Sequence, residues 1–154
     1  DDYKSTEPLA GIEFQKDIER KSFNAGGGIW KVPAQNLTDF LSKRISKNLN
    51  INSCKTGTEA ADINEILPKF VCESLVTAFD KWKVDEPLFI SEHAILLAAE
   101  TRTSSPVRIK RGENFESVNV KNLYPLGEGS GYTGGITSSA ADAIKAVESS
   151  MSIY

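Results

Sequence analysis

The chain has 154 residues, of which 40% are hydrophobic and 25% charged, with a formal net charge of −3. That length suits one domain with a fair core or two small ones, and the acidic balance argues against a nucleic-acid footprint. No apolar run approaches the roughly 20 residues of a membrane-spanning helix. Nothing at the start reads as a signal peptide. The opening Asp1-Asp2 lacks a methionine, so the expectation is a cytoplasmic segment cut from a longer protein. Cys54 and Cys72 have no metal-ligand spacing, and two reduced thiols are expected rather than a disulfide.

In chain order, Thr6-Glu7-Pro8 reads as a helix start, with Thr6 as N-cap and Pro8 in the first turn. The helix should run to about Asn24 and bury Ile12, Phe14, Ile18 and Phe23. Gly26-Gly27-Gly28 stops it, as a C-cap and turn in preference to a ligand-touching loop. After a short apolar link containing Trp30, Pro33 is expected to begin a second helix with Leu37, Phe40, Leu41 and Ile45 inward. Lys43, Arg44 and Lys47 then sit at its C-terminal end, where cations suit the helix dipole. Residues 48–61 are polar and read as a loop.

Asp62 and Glu65 have the spacing of a capping box for a third helix. Its stripe is Ile66, Phe70, Ala78 and Trp82, widened by Ile63, Leu67, Val71, Leu75 and Phe79. Pro68 is either tolerated in the first turns or divides a short turn from the main helix. The run from Ile95 leads into Glu100–Pro106, and Val107–Arg111 alternates apolar and polar as a half-buried strand does. His93, the single histidine, has no catalytic partner in a known spacing and is read as a surface residue.

Two stretches are not explained by packing. Glu100–Arg108 sets two arginines, Arg102 and Arg108, with an acid and four hydroxyl residues between apolar runs. Arginine presents a planar fork of donors suited to phosphate, carboxylate or a carbonyl-bearing ring. A salt bridge from Glu100 within a surface loop is the plainer alternative.

The second stretch is residues 122–151. A short run, Leu123–Leu126, reads as a buried strand, and Gly127, Gly129, Gly131, Gly134 and Gly135 follow. Then Ile136, Ala140, Ile144, Val147 and Met151 recur on one helical face. Strand, glycine-rich turn and helix leave orphan backbone N–H groups at a helix start, a site that attracts anionic or carbonyl groups. Glu128 adds a carboxylate that can accept from hydroxyls. Gly129-x-Gly131-x-x-Gly134 spells a dinucleotide fingerprint, but a second strand and a ribose-binding acid about 20 residues on do not follow. A structural turn and a ligand cradle both stay open at this point.

Glu100–Ile109 (ETRTSSPVRI) followed by Asn122–Ile144 (NLYPLGEGSGYTGGITSSAADAI) resembles the C-terminal part of predicted FAD-dependent dehydrogenases. These belong to the two-dinucleotide-domain flavoprotein superfamily. Gly11–Leu41 resembles the segment inserted before that family's last cofactor-binding portion. The resemblance implies FAD as cofactor in the full-length parent. Leu123–Gly127 would be the last strand of the FAD-binding domain, with Glu128 facing the ribityl or pyrophosphate region. Gly127, Gly129, Gly131, Tyr132, Gly134, Gly135 and Ile136 would line the flavin, and Arg102 and Arg108 would lie near it or the substrate. The strand, fingerprint and helix that grip the adenosine diphosphate half are not in these 154 residues. The piece alone is therefore expected to be inactive, with catalytic residues unknown.

The expected architecture is α+β: a mainly helical segment over residues 1–86, then a small sheet, glycine loop and C-terminal helix over 87–154. The sheet would comprise 96–101, 107–111 and 123–126. The expected partners are FAD and a small-molecule substrate, engaged through the remainder of the parent, with no nucleic acid, membrane or metal. The alternative is a stand-alone interaction module in which the glycine loop is only a turn.

Overall fold

A computed structural model describes residues 6–151 of the chain. The described residues are α+β, with five α-helices, a three-stranded sheet and a helix at the C-terminal end. Contacts divide them into two compact units, residues 16–100 and the combination of 6–15 with 101–151. The sequence suggested a division at 86/87 instead.

Helix α1, Ala10–Ala25, begins two residues after the expected proline. It ends as the glycines require: Gly28 N–H donates to Phe23 O and Gly27 N–H to Asn24 O, with φ of 84° at Gly27 and 69° at Gly28. A residue with a Cβ resists that left-handed closure.

Two strands of the sheet run through segments expected to be helix or loop, and the third overlaps the start of the strand expected at 96–101. Strand β1, Val32–Asn36, is its centre, and helix α2 follows as only Leu37–Leu41. Strand β2, Thr58–Ala60, pairs parallel to β1, and β3, Ile95–Leu97, pairs antiparallel on the other side. Pro33 therefore opens a strand and not a helix. It lacks an N–H, but its carbonyl accepts from Ala98 N–H at 3.0 Å, so it still contributes to the sheet. Ile45, expected inward, lies beyond the shortened helix and is 59% exposed.

Asp62 caps helix α3, Ile63–Ile66, by accepting from Asn64 N–H. Pro68 separates it from α4, Lys69–Asp85, which is the dividing alternative read from the sequence. Leu37, Phe40, Ile63, Cys72, Phe79 and Ala98 form the core of this unit. Phe40 and Phe79 meet edge to face at 6.2 Å. The outer members of the predicted stripe, Phe70 and Trp82, are 41% and 42% exposed. Cys54 and Cys72 are free thiols, and burial raises the Cys72 pKa above its ordinary value. His93 is exposed and lies 3.8 Å from Glu92.

In the other unit, helix α5 spans Ile136–Met151, as its periodicity requires. The expected strands 107–111 and 123–126 do not form. Residues 107–111 hold only scattered bonds: Ile109 N–H to Ser130 O, Val118 N–H to Lys110 O, and an isolated bridge from Arg111 to Ser117. In the second, Pro125 has no N–H to give and its carbonyl is taken by Arg111, so no ladder develops.

Candidate functional site: the glycine-rich turn before the last helix

The turn from Gly127 to Gly135 closes on itself. Tyr132 N–H donates to Gly127 O at 3.1 Å and Gly131 N–H to Glu128 O at 2.9 Å. Two of its glycines are required by backbone conformation and close packing, Gly127 and Gly131. At Gly131, with φ of 82°, a Cβ would collide with the Val107 carbonyl, because residues 107–109 cross directly against it. Gly127, with φ of 69°, would set a Cβ 3.2 Å from Ser139 Cβ. Gly129 faces open space, and a Cβ at Gly134 would meet only Ser104 Oγ, at 3.7 Å. Gly127→Ala is therefore expected to cost roughly 1–2 kcal/mol, and Gly129→Ala less than about 0.5, in urea denaturation.

The turn is held from behind by a pair that spacing alone did not single out. Arg111 and Asp142 form a two-pronged salt bridge of 2.8 and 2.7 Å, with side chains only 10% and 11% exposed. Asp142 Oδ2 also accepts from Gly127 N–H at 2.9 Å, and Arg111 donates to Pro125 O at 2.8 Å. The guanidinium lies 3.7 Å from the centroid of Tyr132 and 4.5 Å from that of Phe115. Tyr132 OH donates to Ile109 O and accepts from Arg111 N–H. Hydrogen bonds from Arg111, then from Gly127, pull the Asp142 pKa down to about 2. The same pairing raises that of Arg111.

This clamp decides which face of α5 is buried. The packed side carries Asp142 and Ala146, with Ser139 bonded to Thr133 at 2.7 Å. The apolar stripe read from the sequence faces solvent: Ile136 is 92% exposed, Met151 70%, Ile144 59% and Val147 55%. The helix thus starts in the open. Gly134 and Ile136 are exposed, Gly135 precedes the first turn without a side chain, and Ser138 Oγ turns back to Gly135 O.

Of the candidate residues, Arg108 is joined to this turn. Its Nε donates to Gly131 O at 2.9 Å and it lies over the Tyr132 ring at 5.0 Å. Glu128 is half-buried in the turn. Arg102 is exposed and lies on the 101–104 segment, which Gln15 holds by donating to Thr101 O at 2.6 Å. Arg111 and Asp142 were missed because they stand 31 residues apart; the sequence signal was an arginine ending an alternating run and an acid inside a helix otherwise rich in small residues. Among the described residues no helix is long and apolar enough to cross a membrane, and no cluster of His, Cys, Asp or Glu is able to hold a metal.

An uncharacterized protein of Clostridium beijerinckii (strain ATCC 51743 / NCIMB 8052) is 44% identical over 153 residues, covering 96% of this chain. The chain spans 28% of that relative's length. The family described as FAD-dependent protein, C-terminal domain-like, matches residues 1–103, a range that ends before the glycine-rich turn. With most of its length matched, the chain belongs to the FAD-dependent protein C-terminal domain-like family.

Proposed function

We propose that the chain is the flavin-facing C-terminal portion of a longer cytoplasmic FAD-dependent oxidoreductase, a dehydrogenase, and that it is inactive alone. The observation that carries this reading is the open start of α5. Its amides follow two glycines, and the turn before it is fixed from the far side by Asp142 and Arg111. The residues present fit a flavin edge. Space stands where Cβ atoms would be at Gly129, while at Gly134 and Gly135 only serine hydroxyls lie within reach, so a planar ring can approach the backbone closely. Oriented N–H groups there favour a carbonyl or an anionic ring edge without reorganising.

In this reading Gly134, Gly135 and Ile136 hold the ring, and Gly127, Gly129, Gly131 and Tyr132 shape the turn. Glu128 accepts from hydroxyls of the ribityl chain. Arg108 gives its Nε to Gly131 and turns the terminal nitrogens of its fork to a carbonyl or phosphate, with Arg102 on the 101–104 segment. When bound, the flavin supplies hydride acceptance and release. The exposed aliphatic edge of α5 packs against the remainder of the longer parent and excludes water from the ring.

That same exposed edge favours a second reading, an interaction module whose glycine turn has no ligand. The absorbance of the full-length protein containing this segment separates the two. A flavin spectrum is expected, and Gly134→Tyr in that protein should lower flavin content severalfold. Retention of the full flavin complement by the variant would refute the assigned turn. A colourless protein that takes up no added FAD would favour the interaction module.

A further inference from the structure

Strand β3 forms one edge of the sheet, whose order is β2-β1-β3. Its register on β1 sets Ala34 opposite Leu97, Gln35 opposite Leu96 and Asn36 opposite Ile95. Leu37 N–H donates to Ala94 O and Ala98 N–H to Pro33 O, so the residues of this segment that bond to β1 are the even-numbered ones. In an antiparallel ladder the residues between them turn their backbone groups the other way. The N–H and C=O groups of Ile95 and Leu97 therefore point outward, and among the described residues no strand pairs with that edge. The opposite edge is blunted by chemistry: β2 is Thr58-Glu59-Ala60, and Glu59 is bonded to Lys31. Ile95-Leu96-Leu97 carries neither charge nor proline.

Side chains alternate along the same strand. Leu96 and Ala98 pack on the core, which leaves Ile95 and Leu97 on the other face of the sheet. There Leu97 walls an apolar groove of about 630 Å3 with Phe23, Ile29 and Trp30, and the Trp30 indole is 86% exposed. A strand laid along β3 sets every second side chain on the face of this groove. Backbone bonds at the edge and a pocket for alternate side chains are the two requirements of strand addition. Charge narrows the occupant. Glu92 and Glu100 stand exposed at the two ends of the segment, and the nearest charged or ionisable contact of Glu92 is His93, at 3.8 Å. Two copies paired about Leu96 would bring Glu92 of one toward Glu100 of the other, and like charges disfavour that arrangement. A strand with basic ends meets both carboxylates with opposite charge.

We propose that the outer edge of β3 takes up an extended segment with apolar residues at alternate positions and a lysine or arginine at each end. Its backbone pairs with Ile95 and Leu97, its apolar side chains lie beside Leu97 and Trp30, and its basic ends face Glu92 and Glu100. All these residues lie within 16–100, so the proposal does not depend on the flavin reading.

Titration of the 15N-labelled chain with the peptide acetyl-Lys-Thr-Val-Thr-Val-Thr-Lys-amide, followed by NMR, is the test. Saturable shifts are expected at the Ile95 and Leu97 amides and the Trp30 indole N–H, with slowed exchange at both amides. The same peptide with glutamates in place of its lysines should bind at least about fivefold more weakly at low salt. The peptide N-methylated through its three central residues, with donors blocked on both edges, should not bind. Leu97→Pro removes an outward N–H that the fold does not use, a substitution an edge strand tolerates, and should weaken binding about tenfold. Leu97→Ala, which keeps that N–H, should weaken it less. Shifts that fail to saturate or map elsewhere would overturn the proposal, as would undiminished binding of the N-methylated or glutamate peptide. Protection of both amides that rises with protein concentration in the absence of peptide would assign the edge to a second copy and overturn it too.

Discussion

Asp142→Ala is expected to destabilise the packing of α5 by about 3 kcal/mol, the cost of leaving a nearly buried partner charge uncompensated. Arg111 would lose both carboxylate contacts, and Gly127 N–H would lose its acceptor. Amide hydrogen exchange is the direct readout, because both tryptophans lie in residues 16–100 and do not report on this unit. Exchange at Gly127 and along α5 should accelerate about a hundredfold, each 1.4 kcal/mol being a factor of ten. Arg111→Lys should lose part of the same stability, since an ammonium lacks both the second prong and the flat surface that lies against Tyr132 and Phe115. Replacing both partners, as Arg111→Met with Asp142→Leu, should recover much of the loss, because no charge is then left buried.

The pH dependence follows from the same pair. Asp142 is held down to about 2 in the folded chain from an ordinary value of 3.8. Its contribution is therefore fully present above the unfolded value, is lost as pH falls through the interval down to about 2, and amounts to about 2 kcal/mol by linkage. Protection of α5 amides should fall across that interval in the parent chain and stay flat in Asp142→Ala. Equal acid sensitivity in the two would place the titrating group elsewhere.

How much of this was legible beforehand depends on how local the cause was. The helices at 10–25 and 136–151 and the break at Pro68 are written in caps, glycines and periodicity within a few residues, and they stand. Strand β1 is not local. KVPAQNL looks like a proline-led helix start, and becomes a strand because 58–60 and 95–97 pair with it from both sides. The face of α5 misled for a related reason. Five apolar positions predict a buried stripe, but Asp142 lies opposite them, and its anchoring to Arg111 and Gly127 turns the stripe outward. In the candidate site the glycines and Arg108 could be read from composition. The charged pair that holds them could not, because it joins residues from two separate stretches.

Gln35→Leu should cost about 3 kcal/mol, although it replaces a polar residue at a fully buried position with an apolar one of similar size. Gln35 is 0% exposed in β1 and bridges two backbone groups. Its Nε2 donates to Arg44 O at 2.8 Å, and its Oε1 accepts from Ile63 N–H at 2.8 Å at the start of α3. Leucine would fill the volume but leave the buried Ile63 N–H without an acceptor and the part-buried Arg44 O without its donor. The neighbouring Asn36 performs the same task for the following loop, donating to Asn48 O and accepting from Asn50 N–H. Two adjacent amides on the central strand thus substitute for regular structure across residues 42–50. Gln35→Glu separates the two bonds: its carboxylate can still accept from Ile63 N–H but cannot donate to Arg44 O, and it adds a buried charge. Denaturation followed by tryptophan fluorescence should show both variants destabilised, with Gln35→Glu recovering as pH falls and the acid takes up a proton it can donate. If Gln35→Leu matched the parent's midpoint, the paired backbone groups would have to find water, and the strand would be less enclosed than its neighbours imply.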